Sequence, residues 1–429
     1  MPPFTLISVN DLRTLRTSAE LCVRAAARRP GVETAKWLVS RMQQLGPTYI
    51  KAGQFASQRK DLLGKDVTTV LSSLRDRINP LPFGDIEAVL RSEGILSKLD
   101  SIETTPLASA SIAQVHRAVL DGVQVVVKVR RPGISAYVRS DIAFLRSLAR
   151  VVRPAWVGVV DEFECRLVEE MNFATELVNG QEFFAMYEGD PTVVIPRMIP
   201  EACTERVLTM EYRPSTSLFG VMGTPARRAK LAALLMDTFM TQLLYSPVVH
   251  GDPHAGNVGV DPDGRLVLYD FGSVIQISRG YRVRLKIMIS VLVGGRPAQM
   301  VQALKLLGLR VIDDKLAETY MAMYYKYVRT IDLEVFRPRS PRSETAASAS
   351  ASASTAPFDA TRIPFELDET LLRLVRVFGM LEGVCKELDG SFDYFRLMPS
   401  FWDAFLLDAD FMAARASWDI QSLDGFDDP

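Results

Sequence analysis

Two short polar motifs near the middle of the chain constrain the fold more than any other feature. The first, HGDPHAGN at residues 250–257, places Asp252 five residues before Asn257. The second, DFG at residues 270–272, begins thirteen residues after Asn257. The apolar run 266–269 between them indicates a short strand. The fold must therefore bring a loop, a strand and a turn together, with a polar side chain on the loop and another on the turn.

This spacing suits phosphoryl transfer. In kinase catalytic loops, D-x-x-x-x-N supplies an Asp that orients or deprotonates the attacking hydroxyl and an Asn that helps to hold a divalent cation. The D-F-G turn supplies a second oxygen ligand for that cation. Asp252 is therefore the predicted base or orienting group, and Asn257 and Asp270 are the predicted Mg²⁺ ligands.

A kinase-like site also needs a lysine on an early strand to hold the α- and β-phosphates of ATP. Lys128 lies inside the apolar run 125–129, so it is hard to explain as a charge on a solvated face of the protein. Such a lysine pairs with a glutamate from a helix. Glu176 is the preferred candidate, and Glu169 and Glu170 are the alternatives.

The remaining pattern predicts an α+β fold, in which a small sheet is followed by a mostly helical region. Residues 33–92 read as helices, and Asp121-Gly122 is a strong hairpin signal between apolar runs. Helical periodicity resumes at Ser140. The predicted strands are 111–120, 123–129, 192–195, 207–210 and 266–269, and the later helices are 226–245 and 371–385.

Two features of common ATP-binding proteins are missing from the sequence. Residues 107–115 precede Lys128 where a glycine-rich phosphate loop is expected, yet they are rich in Ala and Ser and contain no glycine. Because alanine lacks the freedom of glycine at positive φ, the backbone amides must cradle phosphates differently. No G-x-x-x-x-G-K-[ST] motif occurs, which excludes a P-loop enzyme. No A-P-E segment follows Asp270, so no activation loop is recognisable.

Composition excludes several other classes. The 429 residues have a formal net charge of -1, which argues against a protein that coats nucleic acid. The four cysteines include no C-x-x-C pair, so no disulfide framework or structural zinc site is indicated. No apolar run reaches the roughly 18–20 residues of a spanning helix. The Arg-rich start predicts either a basic amphipathic helix for a membrane or presequence, or an ordinary packed helix.

A zinc hydrolase is the competing interpretation of the central motif. His250, Asp252 and His254 form H-x-D-x-H, which can ligate zinc, and Asp270 could add a ligand. This interpretation leaves Asn257 unexplained, and the chain has one further histidine to offer. The kinase-like interpretation is therefore preferred.

Together the motifs resemble the UbiB/AarF-domain (ADCK) family of atypical protein-kinase-like proteins. Its K-x-G-Q motif matches residues 51–54 and its alanine-rich loop matches residues 108–116. The runs 125–132, 250–257 and 270–272 also match. The resemblance implies a bilobal kinase-like fold with an N-terminal helical extension. It also implies that Lys51 and Gln54 lie over the active site and regulate it.

Further roles follow from the same resemblance. The family's E-x-D motif falls on residues 170–172, with Glu170 and Asn172 in the two acidic positions, and its αC-like glutamate falls on Glu176. ATP or ADP with Mg²⁺ is the implied cofactor. The implied nucleotide contacts are Ala108, Ser109, Ala110, Ser111, Val126, Lys128, Glu211, Asn257 and Asp270.

The chain departs from the family pattern at three places. Asn172 stands where an acid is expected, which removes a charge that could hold the K-x-G-Q helix. Val126 stands where the family has an alanine against adenine, which adds two methyl groups. The Ser/Ala-rich stretch 337–361 has no family counterpart and is expected to be a disordered insert.

The expected domains are a basic segment 1–32, a helical extension 33–105, an N-lobe 106–211 and a C-lobe 212–429. The expected function is an ATPase or phosphotransferase that supports prenyl-lipid or quinone metabolism at a membrane surface, in a mitochondrion or plastid. Its expected partners are nucleotide, a lipid surface and quinone-biosynthesis proteins, without nucleic acid. A small-molecule kinase of the aminoglycoside or choline type and a nucleotide-binding pseudokinase scaffold remain the alternatives.

Overall fold

A computed structural model describes most of the chain as two compact units. The described residues are 32–57, 63–74, 79–221, 224–294, 296–328, 365–366, 369–393, 401, 405 and 408–412. The first unit is drawn from residues 1–189, 194–214 and 270–272, and the second from 190–193, 215–269 and 273–429. The predicted insert 337–361, and the predicted basic segment except for Val32, lie outside the described residues.

The first unit begins with helices and continues with a sheet and further helices, as the sequence predicts. Its helices are α1 (Val32–Leu45), α2 (Pro47–Ser57), α3 (Lys65–Leu71), α4 (Phe83–Ser92), α5 (Ile134–Val152), α6 (Val157–Glu170) and α7 (Phe173–Met186). Its strands are β1 (Ser101–Ile102), β2 (Ala108–Ser109), β3 (Ala113–Leu120), β4 (Val123–Arg130) and β6 (Val207–Glu211). The short strand β5 (Val193–Val194) lies where the chain passes from one unit to the other.

An antiparallel sheet in the order β1–β3–β4–β6, with β2 paired to β3, organises this unit. The predicted hairpin between β3 and β4 is confirmed. Its two turn residues both have positive φ, 50° at Asp121 and 75° at Gly122. Two successive positive-φ residues make the tight turn that matches the twist of paired strands.

Strand β4 presents its two faces to different surroundings. Val125, Val127 and Val129 are fully buried and pack in one cluster with residues of α4, including Ile86 and Leu90. Because side chains alternate along a strand, the side chain of Lys128 lies on the opposite face. Strand β4 therefore packs against helix α4 with one face and presents Lys128 on the other.

Two sequence-based boundaries are wrong. Strand β3 begins at Ala113 rather than residue 111, because a hydrogen bond of 2.9 Å from Ala110 N–H to the Ala113 carbonyl closes a turn first. The helix predicted from Ser140 begins at Ile134, because Gly133 at φ 72° turns the chain into α5 six residues earlier. Ile134 and Val138 are buried at helical spacing, so the apolar periodicity does begin at Ile134.

Helices α1, α2 and α3 pack together around a glycine. A Cβ placed on Gly53 would lie 2.2 Å from Leu74 Cδ1 and 2.6 Å from Met42 Sδ. Ala35 and Leu71 are buried beside these side chains. The glycine of the K-x-G-Q motif is therefore the residue that lets α2 approach its neighbours closely.

The second unit is mostly helical. Its helices are α8 (Pro225–Tyr245), α9 (Arg279–Gly294), α10 (Pro297–Leu306), α11 (Asp314–Val328) and α12 (Glu369–Leu388). Its strands are β7 (Thr216–Ser217), β8 (Val248–His250), β9 (Val258–Val260), β10 (Leu266–Leu268), β11 (Val274–Gln276), β12 (Arg310–Val311) and β13 (Phe365–Glu366). No helix in the part of the chain that the structure describes is long and apolar enough to cross a membrane.

Short strand pairs hold the polar motifs of this unit. β9 pairs with β10 and β7, and β8 pairs with β11 so that His250 lies opposite Val274. The helices α8 and α12 pack against each other. Phe239 of α8 and Val377 and Leu381 of α12 are fully buried. These contacts fix α12 in the unit that carries residues 250–257.

Candidate active site

Lys128 and Glu176 form a buried ion pair in the first unit. Lys128 Nζ donates to both carboxylate oxygens of Glu176, each at 2.8 Å. The Glu176 side chain is 2% exposed and that of Lys128 is 17% exposed. The ammonium also lies 5.1 Å from the ring centroid of Phe173, the first residue of α7. The pairing that the sequence predicts between a strand lysine and a helix glutamate is present.

A second carboxylate reaches the same ammonium. Asp270 Oδ2 lies 3.5 Å from Lys128 Nζ, and the Asp270 side chain is 45% exposed. Burial acts to lower the pKa of Lys128, but the carboxylates of Asp270 and Glu176 outweigh it and hold that pKa above its ordinary value. Burial raises the pKa of Glu176 to about 7; Asp270 adds to this rise, and Lys128 opposes it. Lys128 is therefore a fixed positive charge beside an accessible acidic oxygen.

One face of helix α7 holds the D-F-G turn in place. Asn179 Nδ2 donates to the Phe271 carbonyl at 2.8 Å, and the rings of Phe183 and Phe271 lie 5.0 Å apart. Asn179 and Phe183 follow Glu176 at helical spacing, three and seven residues later. The sequence analysis did not identify Asn179 or Phe183 as site residues, although their periodicity from Glu176 is the signal that could have found them.

Asp270 itself adopts a left-handed backbone conformation with φ of 59°. Aspartate tolerates this region better than most residues, because its short side chain can bond to nearby backbone. Here Asp270 Oδ1 accepts from Gly272 N–H at 3.3 Å. A Cβ on Gly272 would lie 3.2 Å from that same oxygen. The D-F-G glycine therefore leaves room for the Asp270 carboxylate.

The K-x-G-Q lysine pairs with the first acid of the E-x-D position. Lys51 Nζ lies 2.5 Å from Glu170 Oε1. Asn172 instead caps helix α7, accepting from Ala174 N–H at 3.1 Å. Lys51 is thus paired with Glu170 although Asn172 has replaced the second acid, and a regulatory role for this pair stays a prediction. Glu169 is exposed and Glu170 pairs with Lys51, so Glu176 alone of the three candidate acids bonds to Lys128.

Gln54 contributes to packing within the extension. Its Nε2 donates to the Leu74 carbonyl at 3.3 Å, which ties α2 to the residues after α3. Together with the close approach at Gly53, this bond fixes the helix that presents Lys51.

The alanine-rich loop is a tight hairpin held by an arginine. Ala108 and Ser109 pair with Val115 and Gln114, which makes β2 a short strand rather than loop. Arg131 is 7% exposed and donates to the Ala110 carbonyl at 2.9 Å and to Ser109 Oγ at 2.8 Å. Its guanidinium also donates to the Asn79 carbonyl at 3.1 Å. A buried guanidinium thus fixes a loop that lacks glycine.

Gln114 and His116 extend this network. The Gln114 amide accepts from Leu81 N–H at 2.8 Å and donates to the Leu81 carbonyl at 3.3 Å. His116 Nδ1 lies 2.8 Å from the Glu103 carbonyl, and its Nε2 lies 3.0 Å from Gln114 Nε2. A neutral imidazole with its proton on Nδ1 satisfies both contacts, and burial lowers the pKa of His116.

The other nucleotide residues expected from the resemblance lie near this hairpin and sheet. Val126 shares the Lys128 face of β4 and is 9% exposed. Glu211 ends β6 opposite Val125 and pairs with Arg213 at 2.9 Å. Ser111 Oγ is buried and has no hydrogen-bond partner among the described residues. An orphaned hydroxyl in this loop fits a loop that takes an oxygen-rich ligand.

The second unit holds the other polar motif, built on His250. This imidazole is fully buried, with Nε2 2.8 Å from the Tyr269 carbonyl. Its Nδ1 accepts from Asp252 N–H at 3.3 Å, so the ring proton is on Nε2. His250 N–H donates to Gln242 Oε1 at 3.0 Å. His250 therefore bonds to Gln242, to Tyr269 and to Asp252, and so holds the loop of residues 250–257 in place.

Asp252 and Asn257 lie on that loop as the spacing predicts. Asn257 Nδ2 donates to the Asp252 carbonyl at 3.1 Å, which leaves the amide oxygen as the arm that could hold a cation. The Asp252 carboxylate has Arg376 Nη2 3.8 Å from Oδ1 and His254 Nε2 3.7 Å from Oδ2. No sequence motif pointed to Arg376, which lies on α12.

The zinc interpretation does not agree with this geometry. Both ring nitrogens of His250 are already engaged in hydrogen bonds, and His116 is buried in the hairpin network. Within the described residues, no three His, Cys, Asp or Glu side chains converge as a metal centre requires. Asp270 in the first unit and Asn257 in the second each offer a hard oxygen atom, the kind of donor that Mg²⁺ prefers over zinc-type nitrogen and sulfur ligands.

Comparison with known proteins adds an independent observation. A family model for the ABC1 atypical kinase-like domain matches residues 73–304. Protein ACTIVITY OF BC1 COMPLEX KINASE 8, chloroplastic, from Arabidopsis thaliana is 29% identical over 399 residues, which cover 84% of this chain and 52% of the relative. Probable protein kinase UbiB from Xanthomonas axonopodis pv. citri is 32% identical over 401 residues, which cover 85% and 65%.

Among solved structures, Rv3197 from Mycobacterium tuberculosis, in complex with erythromycin, is similar in fold. It matches with a TM-score of 0.55 and 23% identity over 88% of this chain and 95% of that one. The chain spans between 38% and 53% of the length of the three Arabidopsis relatives that it matches here.

Proposed function

The chain belongs to the ABC1 atypical kinase-like family, with a kinase-like α+β fold, and from that premise we propose that it is a Mg-ATP-dependent phosphotransferase or ATPase. Its relatives include proteins named probable protein kinase UbiB and Activity of BC1 complex kinase, which favours a role in prenyl-lipid or quinone metabolism. We further propose that it acts at a membrane surface. Three of the relatives are named as chloroplastic, which favours a plastid over a mitochondrion.

The observation that carries this proposal is the buried pair of Lys128 and Glu176 with Asp270 beside it. A buried ion pair is weak evidence for stability, because desolvation of both groups opposes their attraction. In kinases the same pair positions a lysine over the α- and β-phosphates. The Asp270 carboxylate 3.5 Å from Lys128 Nζ is the group that a phosphate-bound cation requires.

The proposed roles follow from the chemistry of each side chain. Lys128 binds the α- and β-phosphates, Glu176 holds Lys128, and Asp252 orients or deprotonates the acceptor hydroxyl. Asn257 and Asp270 would hold Mg²⁺, which when bound offsets the negative charge of the phosphates. The hairpin of residues 108–111, fixed by Arg131, covers the phosphates in place of a glycine-rich loop.

Substitution of Asp270 tests the nucleotide site directly. Asp270→Asn keeps the side-chain shape, so we expect the folded protein to lose most of its rise in melting temperature with Mg-ATP or Mg-ADP. Asp263→Asn is the matched control, because that side chain is 76% exposed and its carboxylate pairs with Arg265 at the surface. A full nucleotide shift in Asp270→Asn would contradict the metal assignment.

Turnover separates the proposed enzyme from a scaffold. We expect ATP hydrolysis that increases with anionic liposomes or phenolic lipid mimics, compared with nucleotide and protein alone. Tight nucleotide binding without turnover under all these conditions would support a pseudokinase scaffold instead.

The Lys51–Glu170 contact favours this proposal over a small-molecule kinase of the aminoglycoside or choline type. Such a kinase needs an open acceptor pocket. Glu170 lies close enough to Lys128 to act on its pKa, so the extension helix that carries Lys51 is tied to the surroundings of the proposed phosphate-binding lysine. Phosphorylation of small alcohols such as choline or aminoglycosides by the intact chain would argue against this proposal.

A further inference from the structure

The Asp252 carboxylate lies beside a cation from a distant part of the chain. Arg376 Nη2 is 3.8 Å from Asp252 Oδ1, and the Arg376 side chain is 32% exposed. In sequence Arg376 follows Asp252 by 124 residues and belongs to no motif of the loop. Its approach is therefore a property of the fold of the second unit.

The loop itself has no room for such a cation. Kinase loops of the H-R-D type carry an arginine immediately before the catalytic aspartate. Here that position is Gly251, whose N–H donates to the Ser273 carbonyl at 2.7 Å. A Cβ on Gly251 would lie 2.8 Å from the same carbonyl oxygen. Because that neighbour is backbone, it cannot rotate away, and no side chain fits there.

Helix α12 is seated so that Arg376 can take this place. Arg373, one turn earlier, donates from Nη2 to the Val274 carbonyl at 2.9 Å. Val274 pairs with His250, two residues before Asp252. Leu374 and Val377 are buried on the adjoining positions of the helix. The helix is thus anchored to the strand pair that leads into the catalytic loop.

We propose that Arg376 is a positioning residue for Asp252, supplying from helix α12 the positive charge that Gly251 excludes from the loop. The inference rests on the proposed function and deepens it. At 3.8 Å the Arg376 guanidinium attracts the carboxylate without forming a short bond to its oxygen, and His254 Nε2 lies 3.7 Å from the other oxygen. Neither contact takes up the hydrogen-bonding capacity of these oxygens, so an acceptor hydroxyl can bond to them.

The step that this arrangement supports is a transfer of the γ-phosphoryl group. The oxygen of an acceptor alcohol or water forms a bond to the γ-phosphorus, and the bond from that phosphorus to the β–γ bridging oxygen breaks. ADP leaves with that electron pair, and the acceptor's proton passes to the Asp252 carboxylate. Arg376 stays protonated throughout and holds the carboxylate in the orientation that receives the proton.

Steady-state kinetics of the full chain with liposomes tests this role. For Arg376→Met we expect kcat to fall about 10-fold or more while KM for Mg-ATP stays within about twofold, since misplaced catalytic groups affect the chemical step. Arg376→Lys keeps the charge and should recover much of the loss. Wild-type kcat in Arg376→Met would overturn the inference.

Two control variants distinguish a role of Arg376 in positioning Asp252 from a role in packing helix α12. Lys386→Met removes an exposed cation from the same helix and should leave kcat unchanged. Arg373→Met removes the anchor to Val274 and should lower the melting temperature more than Arg376→Met does. If Arg373→Met lowered kcat as much as Arg376→Met, the effect of Arg376 would be structural and the inference would fail.

A double-mutant cycle with Asp252→Asn provides a readout independent of turnover. If Arg376 and Asp252 interact, Arg376→Met should lower the melting temperature less in the Asp252→Asn background than in the wild type. Equal shifts in both backgrounds would overturn the inference. If the two residues are coupled but the chain shows no turnover, the contact between Arg376 and Asp252 is supported and the proposed function is refuted.

Discussion

Lys128 shows how the function of a residue depends on its burial and its partners. The positive charge of a lysine in an apolar strand has to be compensated. Both carboxylate oxygens of Glu176 do so by accepting hydrogen bonds of 2.8 Å from the Lys128 ammonium. Asp270 then adds a second negative charge, which a structural ion pair does not need. The excess of acid around one ammonium is explained if phosphate and a cation join the cluster.

Removal of Lys128 should destabilise the fold, because the buried Glu176 carboxylate would lose the positive charge that compensates it. For Lys128→Met we expect the free energy of unfolding at neutral pH to fall by about 3–5 kcal/mol, because Glu176 is left without its partner. Lys128→Met/Glu176→Leu, which removes both charges, should be more stable than the single variant. Urea denaturation measures both.

Lys36→Met is the control for this experiment, since Lys36 is exposed and pairs with Glu33 one turn away. Its effect should stay within about 0.5 kcal/mol. A Lys128→Met variant as stable as Lys36→Met would show that Glu176 is compensated by other groups.

His116 should make the first unit sensitive to mild acid. Burial lowers its pKa below the ordinary value of about 6.5, so the unfolded chain binds the proton at a higher pH than the folded chain does. Stability from neutral His116 is therefore complete above pH 6.5 and is lost as pH falls below it. The free energy of unfolding should decrease from pH 7 to pH 5 less in His116→Gln than in the wild type. Equal decreases would contradict this assignment.

At the scale of elements, helix α7 organises the candidate site of the first unit. Its first turn carries Glu176, and its next turns carry Asn179 and Phe183, which hold Phe271. The residue Asn172 caps the helix. One helix thus positions the partner of Lys128 and the D-F-G turn together.

Much of this arrangement follows from the sequence, for physical reasons. The hairpin at Asp121-Gly122 is local, so turn chemistry predicts it. The pairing of Lys128 with Glu176 is predictable because a buried lysine requires an acid. The closeness of Arg376 to Asp252 cannot be predicted from the sequence, because it depends on how α12 packs in three dimensions. Nor does composition show that Arg131 replaces loop glycines, since that bond pattern requires the folded backbone.

The packing of α2 gives a test at the level of elements. Gly53→Ala would place a methyl group against Leu74 and Met42, so we expect the free energy of unfolding to fall by about 1–3 kcal/mol. Gly84→Ala is a matched control in the exposed first turn of α4, where a Cβ meets no atom within 4 Å. That change should be neutral or stabilising by up to about 1 kcal/mol. Equal effects would show that α2 tolerates the extra volume.

For the molecule as a whole, each compact unit has its own apolar core and its own lysine in an ion pair with little exposure to solvent. Lys286 in the second unit is 5% exposed, pairs with Asp408 and lies 4.4 Å from the centroid of the Tyr245 ring. Burial and the nearby Asp408 carboxylate raise the pKa of Tyr245 to about 12. The two units therefore each contain an ion pair whose loss can report on that unit.

Calorimetry should detect the two units as separate contributions. We expect the calorimetric enthalpy of unfolding to exceed the van't Hoff value, as in chains with more than one cooperative unit. Lys128→Met should lower the transition of one component and Lys286→Met that of the other. A single two-state peak that both variants shift equally would contradict this expectation.

The link between Phe271 and helix α7 has a consequence for motion in the first unit. Phe271 is fully buried and its ring lies 5.0 Å from that of Phe183, on the same helix that carries Glu176. Because closely packed rings transmit displacement, a shift of the D-F-G turn should also move the helix whose glutamate bonds to Lys128. Asp270 and Glu176 are therefore mechanically coupled, and a change that reaches one of these acids should reach the other.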